Sequence, residues 1–240
     1  MNTSARQWRR VVIKLSGEAL MGHQTHGLDS TTLSAIAADL AEAAGRGIET
    51  AVVVGGGNFF RGIAGAEKGI ERARADSIGM LATVMNALAI EYAIEKHGRP
   101  ARVLSAVPMP SICEPYSRQA ALHHLGKGRV VVLAGGTGNP FFTTDTGAAL
   151  RAAELSSDVI LKATQVDGIY SADPKRDPKA VRFDTLTHDE AIAKNLAIMD
   201  TAAFALAREN RIPIIVFSIK EPGAICAALE GKGKSTLVLP

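Results

Sequence analysis

Two lysines interrupt runs that are otherwise apolar. Lys14 sits in "VVIKLSG" and Lys162 in "VILKAT", each near the carboxyl end of a β-branched stretch. A lone ammonium is costly to bury without an anion. Each side chain therefore either runs along its strand to solvent or is aimed at an anionic ligand. A third apolar run, "RVVVLA", is followed by "GGTGNPFFTTDTGAAL" at residues 135–150, where glycines, hydroxyls, two Phe and the carboxylate of Asp145 crowd into one turn. Gly-rich segments also follow two other strands, as "KLSGEAL" and "GGGNFFRG". Three such turns on one sheet edge fit a large polyanion better than a set of tight connections. Two strand-end lysines on that edge suit phosphoryl transfer, in which protein groups stabilise charge spread over the moving group.

Other phosphate and nucleophile signatures are missing. The Walker spacing of Gly, four residues and Gly-Lys-Ser/Thr does not occur, and both "GGGNFF" and "GTGNPF" lack the third glycine of the dinucleotide fingerprint. The protein-kinase triplets are absent, and Ser16-Gly17 has no preceding glycine to form a hydrolase elbow. His23, His26, His123 and His124 form no metal spacing with a third ligand and read as surface residues.

The elements that must position these groups alternate. "RVVIKL", "ETAVVV", "ARVLSAV", "RVVVLA", "DVILKA", "PIIVFS" and "STLVLP" read as strands, most apolar on both faces as covered strands are. Helical patterns lie between them, over residues 30–46 behind an Asp29 cap, 76–97 opened by Asp76, and 146–156 behind Asp145. Alternation of this kind means an α/β three-layer sandwich with a mostly parallel central sheet. "SADPKRDPKAVRFD" reads as a polar mobile loop rather than a domain boundary. The expected organisation is a short tail over residues 1–8 and one domain over 9–240.

The chain has 240 residues, 47% hydrophobic and 21% charged, with a net charge of +3, so neither disorder nor a nucleic-acid partner is implied. Cys113 and Cys226 have no ligand or disulfide spacing and read as inert thiols of a reducing compartment. The basic "MNTSARQWRR" leads into a run broken by Lys14 and Glu18, unlike a signal peptide. No window is expected to supply the roughly 20 apolar residues of a membrane span. A cytoplasmic protein is the expectation.

Six segments in order carry a resemblance to a known family: "KLSGEAL" (14–20), "GGGNFFRG" (55–62), "DSIGMLATVMNALA" (76–89), "GTGNPFFTTDTGAALRA" (136–152), "LKATQVDGIYSADPKRDP" (161–178) and "MDTAAFALA" (199–207). The chain from about residue 9 onward resembles the amino acid kinase superfamily, and within it the bacterial UMP kinases, with "GTGNPFFTTD" the most specific motif. The resemblance implies transfer of the γ-phosphoryl of ATP to UMP, with Mg²⁺ carried mainly by phosphates and water. It implies that Lys14, Leu15, Ser16, Gly17, Gly57 and Arg61 hold the donor phosphates, and that Thr164, Tyr170 and Asp173 contact adenine and ribose. Gly56, Asp76 and the segment Thr137, Gly138, Asn139, Pro140, Phe141, Phe142, Thr143 and Thr144 would form the UMP pocket. Lys14, Arg61, Asp145 and Lys162 would be catalytic, Asp145 orienting the lysines.

Plainer readings stand beside several of these. Arg61 could be a solvated loop arginine. Asp76 and Asp145 could simply cap their helices. Asp200 in "MDTAA" reads as a helix cap. The resemblance further implies a homohexamer inhibited by UTP and activated by GTP, with Arg102 and Arg129 at the GTP site or, equally, as solvated residues before strands. A relative acting on acetylglutamate, aspartate or carbamate would have no reason to carry "GTGNPFFTTD" or Asp76. A non-catalytic nucleotide sensor would be expected to lose Lys14, Arg61 or Asp145.

Overall fold

The computed structural model describes residues 8–61, 69–174, 176–196 and 198–240. Among them, nine strands form one sheet in the order β4-β3-β5-β2-β1-β6-β10-β11-β9. These are β1 (Arg10–Leu15), β2 (Glu49–Val54), β3 (Ala101–Ser105), β4 (Glu114–Pro115), β5 (Val130–Ala134), β6 (Val159–Thr164), β9 (Thr185–Thr187), β10 (Ile214–Ser218) and β11 (Ser235–Leu239). The β10–β11 pair is antiparallel and the others in this sheet are parallel. A separate antiparallel pair, β7 (Ile169–Tyr170) and β8 (Arg182–Phe183), pins the two ends of the polar loop read from the sequence. All seven expected strands are present.

Successive residues of a strand face opposite layers, and the central strands bury both. Val11, Ile13 and Leu15 face α1 (Ser30–Gly45), α2 (Arg72–Lys96) and α7 (Ala224–Leu229). Val12 and Ile160 face α3 (Arg118–Gly126), α4 (Thr144–Glu154), α5 (His188–Ala193) and α6 (Thr201–Glu209). The result is the expected helix–sheet–helix sandwich. Strands β2 to β5 lie on one side of β1, and β6 and β9 to β11 on the other. The order therefore switches at the β1/β6 seam, where ligands bind in open α/β sheets.

Several boundaries differ from expectation. Helix α2 starts at Arg72, four residues before Asp76, behind a Glu71 that makes no side-chain cap. Helix α4 starts at Thr144 with Thr143 as its cap. Neither Asp76 nor Asp145 is therefore an N-cap. Most of the expected tail, residues 1–7, lies outside the described residues, but Trp8 packs on the core. His124 is buried at 6% exposure, because it is held between Glu114 (Nε2 to Oε2, 2.9 Å) and Arg129 (Nη1 to Nδ1, 2.9 Å).

Helix α2 is also long and apolar enough, by length and composition, to cross a membrane, contrary to the expectation from the sequence. Its packing accounts for that character. Val84, Ala87, Ile90 and Ile94 are core residues, while Ile78, Leu81, Met85 and Tyr92 form an exposed stripe of 40–62%.

Asp39 is a buried carboxylate in α1 that accepts the Ile225 and Cys226 amides at 2.7 and 3.1 Å, capping the start of α7. Charge-assisted bonds of this kind contribute about 1.5–3 kcal/mol each. Asp39→Ala should therefore lower the melting temperature by roughly 6–24 °C, since two such bonds are lost and each kcal/mol corresponds to about 2–4 °C in a chain of this size. Calorimetry checks this, and an unchanged melting temperature would remove Asp39 as the clamp between α1 and α7.

Candidate active site

Strands β1 and β6 are adjacent and parallel, in a register that sets Lys14 directly opposite Lys162. Both side chains have the parity of Val12 and Ile160, so both ammonium groups project toward the α4 layer. Two cations side by side repel one another, and α4 supplies the anion. Thr143 Oγ1 accepts the amides of Asp145 and Thr146 at 3.1 and 3.2 Å, which starts the helix at Thr144 and leaves the Asp145 carboxylate facing the sheet. Lys14 Nζ lies 2.8 Å from Oδ1, and Lys162 Nζ donates to Oδ2 at 2.5 Å. All three side chains are only 12–15% exposed, so the lysines do not run to solvent.

Burial on its own would raise the Asp145 carboxyl, but the two ammonium groups more than offset this and hold it below its ordinary 3.8. Burial pushes the Lys162 ammonium below its ordinary 10.5, with Asp145 acting against that shift. The triad is therefore a doubly cationic, singly anionic cluster aimed out of a strand seam. Asp200 caps α6, as expected, by accepting the Ala203 amide at 3.1 Å. It also accepts the hydroxyls of Thr143 and Thr146, the latter at 2.9 Å, and so fixes the turn that presents Asp145.

The donor-side glycines pack against one another. Ser16 caps the 3-10 turn Gly17–Leu20 through the Ala19 amide at 3.2 Å. A Cβ on Gly17 would fall 2.5 Å from Asn58 Oδ1 and 2.7 Å from Gly57 N, so the "GGGN" loop lies directly on this turn. A Cβ on Gly56 would meet Gly79 O at 2.7 Å, which seats the same loop on α2. Leu15 is fully buried and can offer a ligand only its backbone. Arg61 forms an ion pair with Glu18, with side-chain exposures of 60% and 39%, so it is a paired rather than a free loop residue. Gly62, which follows it in the motif, lies outside the described residues.

Next to these loops opens a cleft of about 520 Å³. Of the expected pocket residues, Gly56, Asp76, Thr137, Asn139, Phe142, Thr143 and Thr144 line it, joined by Gly57 and Arg61. Gly138, Pro140 and Phe141 do not. Phe141 is 66% exposed with a left-handed φ of 71°, a conformation that costs a residue with a Cβ on the order of 1–2 kcal/mol. Three α2 residues secure the two sides of the cleft. Asp76 Oδ2 accepts the Phe141 amide at 2.8 Å, and Thr83 Oγ1 accepts the Gly135 amide at 2.7 Å. Asn86 donates to Gly55 O and Asn58 Oδ1, both at 2.7 Å.

Arg72, Thr83 and Gly135 line the cleft without having been singled out in the sequence. The sequence signal for Arg72 was its position four residues before Asp76, which lets a helical pair form. Thr164, Tyr170 and Asp173 lie off the cleft, at and beyond the end of β6. Thr164 bridges to both the amide and the carbonyl of Val166, and the Tyr170 hydroxyl donates to Asp167 at 2.6 Å. Arg102 pairs with Glu95 at 3.1 Å, and Arg129 is held by His124, so neither guanidinium is merely solvated. Among the described residues the acidic and sulfur groups close enough to hold a metal are Asp39, Glu42 and Cys226, which belong to α1 and α7 rather than to the cleft.

Residues 9–218 match the amino acid kinase family. The uridylate kinase of Azorhizobium caulinodans is 60% identical over 231 residues, covering 96% of this chain and 97% of that protein. The uridylate kinase of Agrobacterium fabrum is 59% identical over 238 residues, covering 99% of each chain. The crystal structure of UMP kinase from Bacillus anthracis superposes with a TM-score of 0.93 at 39% identity, covering 98% of this chain and 97% of that one. The fold, the paired lysines on their shared carboxylate and this similarity along nearly the whole length agree: the chain belongs to the amino acid kinase family, in its uridylate kinase branch.

Proposed function

We infer that the chain is a UMP kinase that transfers the γ-phosphoryl of ATP to UMP, giving UDP and ADP. The observation that carries this reading is the register of Lys14 against Lys162 with Asp145 between them, beside a cleft built from "GTGNPFFTTD". A phosphate oxygen of UMP, seated in the cleft, attacks the γ-phosphorus in line. The new O–P bond forms as the bond to the β,γ-bridging oxygen breaks, and ADP leaves with that electron pair. Lys14 and Lys162 face the oxygens on which charge accumulates. The Gly57 amide, beside the Ser16-Gly17 turn, contributes a further donor, and Arg61 exchanges Glu18 for phosphate oxygens as a forked donor. Thr164, Tyr170 and Asp173 take the adenosine end of ATP, beyond β6.

Both oxygens of Asp145 face ammonium groups, so this carboxylate does not fit as a direct metal ligand. Mg²⁺ would be carried by the substrate phosphates, and the chemistry it would supply there is neutralisation of phosphate charge.

The same reading extends to assembly and control. The exposed apolar stripe of α2 supports a homo-oligomer, which we assign as a hexamer. UTP carries the base and sugar that the cleft would read and so competes with UMP. GTP activation through Arg102 and Arg129 would have to draw them from Glu95 and His124. We assign the enzyme to the cytoplasm and to pyrimidine nucleotide synthesis, on the family likeness.

A coupled ADP-release assay with UMP, CMP, acetylglutamate and aspartate tests the activity. UMP should turn over faster than CMP by on the order of a hundredfold or more, because a site that hydrogen-bonds one base edge leaves buried partners unpaired against another. Equal rates with CMP, or turnover of a carboxylate acceptor, would overturn the assignment.

The triad makes a separate prediction about pH. The charged form of Lys162 is the catalytic one, and its lowered pKa places loss of activity on the alkaline side. In Asp145→Asn the anion that opposes this lowering is gone while Lys14 remains. The alkaline limb of kcat should therefore move to lower pH, together with a fall in kcat on the order of a hundredfold. A limb that stays in place would show that Asp145 does not hold Lys162 in its charged form.

The assembly claim is checked by light scattering and by UMP saturation curves run with UTP. The expected outcomes are a mass near six chains and a rise in the KM for UMP. A monomer, or a curve unmoved by UTP, contradicts the respective claim.

A further inference from the structure

Arg72 opens α2 and points into the acceptor cleft. Its Nε donates to both oxygens of Asp76, at 2.9 and 2.8 Å. The second of those oxygens also accepts the Phe141 amide at 2.8 Å, while the guanidinium carbon stands 5.7 Å from the centre of the Phe141 ring. Arg72 thus touches the acceptor loop twice, once through the carboxylate it holds and once over the aromatic ring. Phe141 occupies a left-handed conformation, which persists in a residue with a Cβ only where its surroundings enforce it. Asp76 is 13% exposed and Arg72 38%, so the pair sits at the cleft wall, where screening is partial.

Lone-pair counting sharpens the role of Asp76. An ionised carboxylate offers about four acceptor positions. Arg72 uses one on each oxygen and the Phe141 amide uses another on Oδ2, which leaves one position, on Oδ1, of a carboxylate that lines the cleft.

We propose that Arg72 is a positioning residue for the acceptor. It fixes the Asp76 carboxylate so that Oδ1 receives one donor from the bound nucleotide while Oδ2 holds the loop at Phe141. The proposal rests on the UMP kinase reading. The donor at Oδ1 is taken as a sugar hydroxyl of UMP, the contact that the family resemblance implies for Asp76. In this proposal Arg72 acts through Asp76, to which its Nε is bound, and Arg61 is the guanidinium beside the glycine loop.

The experiment is a double-mutant cycle read by steady-state kinetics and by calorimetric titration of UMP in the absence of ATP. Arg72→Ala should raise the KM and Kd for UMP about tenfold or more, with the KM for ATP changed less than twofold and kcat falling by less than the KM rises. Arg72→Lys, which keeps the charge but not the two-oxygen contact, should recover part of the loss. In an Asp76→Asn background, removing Arg72 should add less than a twofold further effect, because the group it acts through is already altered. Effects of the two substitutions that multiply would overturn the proposal and make Arg72 an independent phosphate ligand. An unchanged Kd for UMP in Arg72→Ala would remove it from the site altogether. Melting curves of each variant separate these outcomes from loss of fold, since Arg72→Lys that melts like the parent and binds UMP as weakly as Arg72→Ala also contradicts the proposal. Failure of the parent enzyme to turn over UMP would defeat the activity assignment instead, and the two failures are distinguishable.

Discussion

Two ammonium groups at equal height on adjacent strands cannot both stay charged in a half-dry seam without an anion between them. Asp145 meets that need, and much of the surrounding architecture follows from where it must stand. It reaches the seam only if α4 begins at Thr144, and that start is set by the Thr143 hydroxyl on the first amides of the helix. Thr143 is itself held by Asp200, which also receives Thr146 while capping α6. The turn that presents the carboxylate is thus braced from the neighbouring helix. Removing one partner of such a buried group leaves charge uncompensated, which costs several kcal/mol more readily than the intact cluster gains it.

The acceptor side depends on a different device, a ruler made from one helix. Asp76, Thr83 and Asn86 are spaced by seven and three residues, so they share one face of α2. From that face they bond the amide of Phe141, the amide of Gly135 and the carbonyl of Gly55. Loops following two different strands are therefore referenced to the same rigid body. The glycines let the backbones come close enough for this, as at Gly56, where any side chain would strike Gly79 and Ala82. The apolar positions of the opposite face of α2, Ile78, Leu81 and Met85, are left to the surface.

The sequence read well where one physical rule dominated. Strands covered on both faces appear as nearly unbroken apolar runs, and most of the seven were legible for that reason. Lys14 and Lys162 stood out because a cation in such a run demands an explanation. Asp76 and Asp145 were harder, since a carboxylate ahead of an apolar helical pattern looks like a cap whether or not it is one. In both cases the helix had begun earlier, at Arg72 and Thr144, and the carboxylate was free for other work. His124 looked like a surface residue because its partners, Glu114 and Arg129, lie on other elements. Short elements such as β4, β7, β8, α5 and α7 carry too few residues to show a period. The roles of Thr164, Tyr170 and Asp173 came from family likeness, and no local rule would have singled them out.

Each cation of the cleft region named above stands against a carboxylate: Lys14 and Lys162 against Asp145, Arg61 against Glu18, and Arg72 against Asp76. These pairs are not equally exchangeable. Glu18 and Arg61 are 39% and 60% exposed, so parting them costs little, as surface pairs contribute about 0–1 kcal/mol. The Asp145 cluster is largely shielded, with all three side chains 12–15% exposed, and has no comparable route to solvent. An arriving phosphate can therefore recruit Arg61 by substitution, while it meets Lys14 and Lys162 already fixed in position against Asp145. A site with one arm free to exchange and another fixed can accept a polyanion without first assembling the groups that stabilise its transfer, which is the preorganisation that electrostatic catalysis requires.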